Sequence, residues 1–340
     1  MSRDDTTAVD PAGGPVGGPA ADRETGPETG PVADRPEAGS APGAEPGRPG
    51  GAPGALWTLG LFRSELLVTL RRRRTLALLA VLAAVPVLIG LAVRIETGDG
   101  GSVGGHGEDG DGRGEGGGPA FVSQVTNNGL FLVFASLAAT LPVFLPMAVG
   151  VVAGDAIAGE ASAGTLRYLL VAPAGRARLL LAKYLTTLVF CLVATVVVAA
   201  SALAVGALLF PLGGVTTISG TTIGFGAGLL RAVLVAAVVA ASLSGLAALG
   251  LFVSTLTSSG VTAMAATVGL LITAQILDAI PQLDAVHPYL FPHYWLSFSD
   301  LLRDPVLWDG IARNLGLQLL WTAVFGSAAW ARFTSRDITA

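Results

Sequence analysis

Apolar residues in this chain fall in long runs, and the breaks between the runs carry most of the charge. Thr75 to Val93 holds no ionisable side chain. As a helix rising about 1.5 Å per residue it reaches about 28 Å, enough to cross the hydrocarbon core of a bilayer. Pro86 lies inside it, a kink that spanning helices tolerate. Comparable runs cover 129–153, with Pro142 and Pro146, and 185–210, 229–253, 261–280 and 314–331. The last is diluted by Asn314 and Gln318. Ahead of them, from Ala55 to Arg74, Trp57, Leu59, Phe62, Leu66, Leu67 and Leu70 recur at near-helical spacing with Arg63 and Glu65 between them. That pattern predicts an amphipathic helix lying in the membrane interface. Residues 1–54 are rich in Pro, Gly, Ala, Asp and Glu, too poor in large apolar side chains to offset the entropy of ordering, and read as a disordered tail. They show no basic start followed by an apolar core, so the tail does not read as a signal peptide. The expected fold is an all-α polytopic membrane protein: six transmembrane helices preceded by an interfacial helix over 55–340, with a disordered tail over 1–54.

The charges between the runs orient them. Arg71, Arg72, Arg73 and Arg74 precede the first run, Arg167, Arg176, Arg178 and Lys183 lie between the second and third, and Arg332 and Arg336 follow the sixth. The loop from Arg94 to Asn128 is instead Gly-rich and acidic, with Glu96, Asp99, Glu108, Asp109, Asp111 and Glu115 against only Arg94 and Arg113, and within it Gly98 to Gly118 reads as a flexible solvated spacer. Positive-inside counting puts both termini and the second arginine group in the cytoplasm, with Arg71 to Arg74 as the main anchors. An even number of spans agrees. Between the fifth and sixth runs, 281–313 is dense in Tyr, Trp, Phe and His, a composition suited to the water–lipid boundary. Within it, "YWLSFSDLL" predicts a short helix before Pro305.

Composition narrows the function. Charged residues make up 13% of the chain against about 25% in soluble domains, and mean hydropathy is +0.66, which excludes an ordinary soluble enzyme. No basic domain is present, so nucleic acid is not an expected partner. The single cysteine, Cys191, sits in an apolar run and reads as a small hydrophobe. The span centres lack the ionisable groups an intramembrane enzyme or ion-coupled carrier needs, and Arg231 and Asp278 lie near span ends. No zinc-protease motif and no nucleophile elbow occurs. "GFGAG", Gly224 to Gly228, reads as a turn. His287 and His293, spaced across Pro288 and Pro292, match no ligand motif and lack an evident third ligand, so no metal is expected. The only lysine, Lys183, is followed by Tyr184, so the chain has no P-loop and no ATPase site of its own.

One segment stands out, "GDAIAGEASAGTLRYLLVAPAGRARLLLAK", Gly154 to Lys183. Gly154 reads as the turn out of the second span, and Leu166, Leu169 and Leu170 form an i, i+3, i+4 stripe that suits a groove on a partner. Pro173 ends that stripe, and Arg176 and Arg178 face the anionic leaflet. From the residues alone, the segment serves equally well as a topological anchor or as a docking handle.

Its pattern resembles the signature of type-two ATP-binding-cassette exporter permeases: Asp155, Glu160, Gly164, Thr165, Leu166, Leu169, Leu170, Pro173, Arg176 and Lys183 fall on it. The resemblance extends over about 56–340, through "HPYLFPHYWLSFSDLLRDPVLW" and "FTSRDI", while the long acidic loop departs from it. The resemblance implies a coupling loop at 154–183, with Asp155, Glu160, Gly164, Thr165, Leu166, Leu169, Leu170, Pro173 and Arg176 facing a separate ATPase subunit. That subunit would hold ATP and Mg, and this chain no cofactor. It further implies a plasma-membrane permease, paired as a homodimer or heterodimer and surrounded by lipid, that exports a hydrophobic or amphipathic substrate. The competing expectation is a non-transporting membrane protein, a sensor or immunity factor with the same helix plan.

Overall fold

A backbone can enter hydrocarbon only with its hydrogen bonds closed on themselves, and an uninterrupted apolar run does this as a helix. The computed structural model describes residues 55–98, 125–164 and 176–335, all within the unit Gly51–Ala340, and is mostly helical. Helices α1 (Ala55–Arg71) and α2 (Arg73–Gly98) are followed by α3 (Phe131–Thr140), α4 (Phe144–Ser162) and α5 (Arg176–Leu209). After a two-stranded hairpin, β1 (Val215–Thr216) and β2 (Thr222–Ile223), come α6 (Phe225–Ser242), α7 (Ser244–Leu256) and α8 (Gly260–Asp278). Three 3-10 helices, Pro281–Leu283, His287–Tyr289 and Trp295–Leu302, lead to α9 (Asp309–Ser335). Among the described residues five segments are long and apolar enough to cross a membrane: Arg73–Glu96, Phe144–Ser162, Ala177–Leu209, Phe225–Leu256 and Gly260–Asp278. The chain is a helical protein of membrane-embedded type.

Two of the apolar runs are broken, 129–153 and 229–253, and in each polar groups at the break find partners. Between α3 and α4 the chain carries Pro142 and Pro146. The Pro146 ring cannot donate to the carbonyl of Pro142, and the Gln275 amide of α8 donates to that oxygen instead. Between α6 and α7 the helix breaks at Leu243. There Ser242 Oγ donates to the Val238 carbonyl (2.7 Å) and receives a hydrogen bond from Asn314 Nδ2 of α9 (2.6 Å). Gln318, one turn further along α9, donates to the Phe291 carbonyl at 2.7 Å. Asn314 and Gln318 are buried, whereas Leu319, Leu320, Val324 and Trp330 on the same helix are exposed. This explains why α9 reads as the weakest apolar run. Its polar residues face the protein, its apolar ones face outward, and mean hydropathy cannot tell the two faces apart.

Helix α4 packs closely on α8. A Cβ at Gly154 would stand 2.9 Å from backbone atoms of Met264, and one at Gly150 would touch Val268 and Thr267. Gly150 and Gly154 form the G-x-x-x-G spacing that lets helix backbones approach in a membrane. Ser254 of α7 adds a polar contact, its Oγ accepting from the amides of Ile157 and Ala158 at 2.9 Å each.

Several boundaries depart from the sequence reading. Gly154 is not a turn: α4 continues through it to Ser162, and α5 starts at Arg176, not near Leu185. The elbow expected over 154–183 is therefore mostly helix at both ends. Gly224 caps α6, and Phe225 to Gly228 form its first turn, so the "GFGAG" stretch belongs to a helix. "YWLSFSDLL" is helical as expected, in the tighter 3-10 form. The tail 1–54, most of the acidic loop (99–124), the stretch 165–175 and residues 336–340 lie outside the described residues.

Candidate functional site

The described ends of the elbow carry the densest set of charges in this otherwise apolar structure. Lys183, about two turns into α5, is 4% exposed. Its ammonium lies 2.9 Å from Glu65 Oε2 on α1 and 2.5 Å from Glu160 Oε1 near the end of α4. One turn earlier on α4, Asp155 Oδ2 receives Arg72 Nη1 at 3.0 Å and Arg74 Nη2 at 2.5 Å. Arg72 is the bend between α1 and α2, so this carboxylate holds the corner at which the first helix becomes the second.

The two clusters share a cleft lined by Glu65, Thr69, Arg72, Arg74, Thr75, Asp155, Lys183, Thr186 and Thr187. Three cationic and three anionic side chains meet there. The balance is physically required. A buried ion is tolerable only when paired and hydrogen-bonded, since its desolvation costs several kcal/mol. The surrounding backbone is cut back to make room. Cβ atoms at Gly159 or Gly260 would collide with the Asp155 carboxylate. The result is an ionic clasp that joins α1, α2, α4 and α5 at the arginine-bearing end of the bundle.

The structure places the predicted site residues unevenly. Asp155 and Glu160 are buried and paired within the chain. Glu160, expected to offer its carboxylate to a base on another subunit, offers it to Lys183. Gly164 is exposed beyond the end of α4 with φ +70°, the left-handed conformation glycine favours, and no neighbour within 4 Å of its Cβ position. Arg176 begins α5, and its side chain lies outside the described residues, as do Thr165, Leu166, Leu169, Leu170 and Pro173 entirely. Of the four arginines read as anchors, Arg71 and Arg73 are exposed, while Arg72 and Arg74 turn to Asp155.

Sequence reasoning missed Glu65 and the structural role of Lys183. The signal was present. A single lysine at the start of a membrane-length helix needs a counter-charge, and Glu65 sits on the half-buried side of α1.

A second feature is a recess that α3, α5 and α6 leave, lined only by apolar side chains, among them Leu130, Val133, Leu192, Val196, Leu229 and Val233. No polar group of the kind that orients a hydrophilic ligand reaches it.

The sequence profile of a family described as "Protein of unknown function (DUF2705)" matches residues 118–339, well over half of the chain. No curated protein matches it.

Proposed function

We propose that this chain, which belongs to the DUF2705 family, is the membrane-spanning subunit of an ATP-binding-cassette exporter. The observation that carries the reading is the ionic clasp beneath the elbow. A loop that served topology alone would need only exposed arginines. Here the two helices that bracket the loop are instead locked to each other by Lys183 and Glu160, and to α1 by Glu65. Force applied to the loop is thereby passed to α4, α5 and α1 together rather than lost in a flexible hinge.

In this reading α9 is the sixth span, α1 lies in the interface, and the arginine-bearing end, with both termini, faces the cytoplasm. A separate ATPase subunit grips the segment from Gly164 to Arg176, holding ATP and Mg, and two permease subunits pair. Closure of the ATPases moves the elbows. The close glycine contact of α4 with α8 carries the movement into the bundle, and differential affinity of the ATPase for the two states biases the change. The apolar recess among α3, α5 and α6 suits a hydrophobic or amphipathic substrate.

Two measurements test this. Single cysteines near Gly105 are expected to react with an impermeant thiol reagent from outside the cell, and those near Ala174 are not; the opposite pattern reverses the orientation. In proteoliposomes, ATP hydrolysis by a co-reconstituted partner ATPase is expected to depend on this chain and to rise with apolar substrates. Hydrolysis indifferent to the chain supports the non-transporting alternative.

A further inference from the structure

At the end of the bundle opposite the arginines, two histidines and a carboxylate that the sequence separates come together. Asp278 is the last residue of α8, His287 opens a 3-10 helix, and His293 lies in the turn that follows. His293 Nδ1 is 2.7 Å from Asp278 Oδ1, and the two imidazole rings are 5.8 Å apart between centroids. One ligand atom from each of the three residues lies within 4.8 Å of the other two.

His287 is 9% exposed, and its Nε2 stands 3.0 Å from the Ile280 carbonyl oxygen. A carbonyl only accepts, so this contact puts the proton on Nε2 and leaves the Nδ1 lone pair free to ligate. Metal-binding histidines are held in just this way, by a carbonyl on the nitrogen that does not bind the ion. Asp284 Oδ1, on an exposed side chain, is 3.8 Å from the same Nδ1.

We infer that Asp278, His287 and His293 form a site for a divalent transition-metal ion of the zinc type. Two imidazoles and one carboxylate match the ligands zinc takes, whereas magnesium and calcium take oxygen alone. Bonds of about 2.0–2.2 Å in a tetrahedral site separate ligand atoms by roughly 3.3–3.5 Å. The widest of the three donor separations therefore has to shrink by about 1 Å and the His293–Asp278 contact has to open by roughly half an ångström, which side-chain rotation supplies. Asp284 or a water completes the fourth position. A simple ion pair accounts for His293 and Asp278 but does not by itself bring the buried His287 ring beside them. The ion would fasten the end of α8 to the aromatic segment whose Phe291 and Trp295 are buried.

The test uses the full chain, purified in detergent through a tag without histidines and stripped with chelator. Titration with zinc chloride is expected to show one ion per chain and to raise the unfolding midpoint. His287→Ala and His293→Ala are each expected to weaken binding at least about tenfold. Cobalt(II) on the unsubstituted protein is expected to give the visible absorption of a tetrahedral N/O site, a readout independent of how the variants fold. Absence of saturable zinc binding and of the cobalt band overturns the site. So does zinc binding unchanged in both variants, which would place the ion elsewhere on the chain.

Discussion

Lys183→Met is expected to destabilise the folded chain by about 3–5 kcal/mol, seen as a lower unfolding midpoint in detergent and a reduced yield. Methionine nearly fills the volume of the lysine stem, so packing loss is small and the effect is electrostatic. The side chains of Glu65 and Glu160 are 12% and 11% exposed, and both are within hydrogen-bond reach of the lost ammonium. Without it, two carboxylates share one buried cleft, and the nearest remaining cations, Arg72 and Arg74, are engaged by Asp155. Neutralising the trio together, as Glu65→Gln, Glu160→Gln and Lys183→Met, is expected to restore most of the midpoint. A complete buried ion set and an apolar or neutral replacement differ far less than an intact set and a broken one. A wild-type midpoint for Lys183→Met alone would contradict the clasp. The same geometry changes the meaning of Glu160→Lys. Read from sequence, that reversal spares yield and strikes only an interface. In the structure it sets a second ammonium against Lys183 and lowers yield as well.

Leu169→Asp is expected to do the converse: insertion and yield near normal, transport abolished. Its argument rests on the stripe Leu166, Leu169, Leu170, which presents one apolar face at i, i+3 and i+4. A charged aspartate forced into an apolar groove on the ATPase costs on the order of several kcal/mol, enough to lose the contact. The ends of the elbow are held by Asp155, Glu160 and Lys183 whatever stands at 169, so the chain itself keeps its fold. In reconstituted complexes, either the ATPase fails to co-purify or basal hydrolysis persists without substrate stimulation. Full transport by the variant would leave the segment a topological anchor.

These two predictions divide along what the sequence makes legible. The apolar runs were readable because a membrane-length helix needs little else; four of the five apolar passes overlie most of a run, whereas Phe144–Ser162 starts inside the run 129–153 and continues past its end. The helix ends at the elbow were not. Asp155, Glu160, Arg176, Arg178 and Lys183 look like loop residues to any linear count of hydropathy, whereas α4 and α5 carry them inside the helix because Asp155 meets Arg74 of α2 and Arg72 of the bend before it, and Lys183 joins Glu160 of α4 to Glu65 of α1. A lone lysine signals that a counter-charge exists, but pairing between elements distant in sequence does not say which residue supplies it. The same holds for Asp278 and His293, which are fifteen residues apart and sit on different elements. The close approach of α4 to α8, by contrast, was written in the Gly150 and Gly154 spacing and needed only to be read as packing rather than as a turn.

The central claim is that the segment between α4 and α5 is gripped by an ATPase on another chain. Its most direct test is a photoreactive side chain placed at Thr165 or Leu169, cross-linked in native membranes, with the adduct identified by mass spectrometry. The account predicts an adduct to the ATPase subunit from both positions and none from a control at Gly105. Adducts to lipid or to this chain alone, with the ATPase present and expressed, would contradict it.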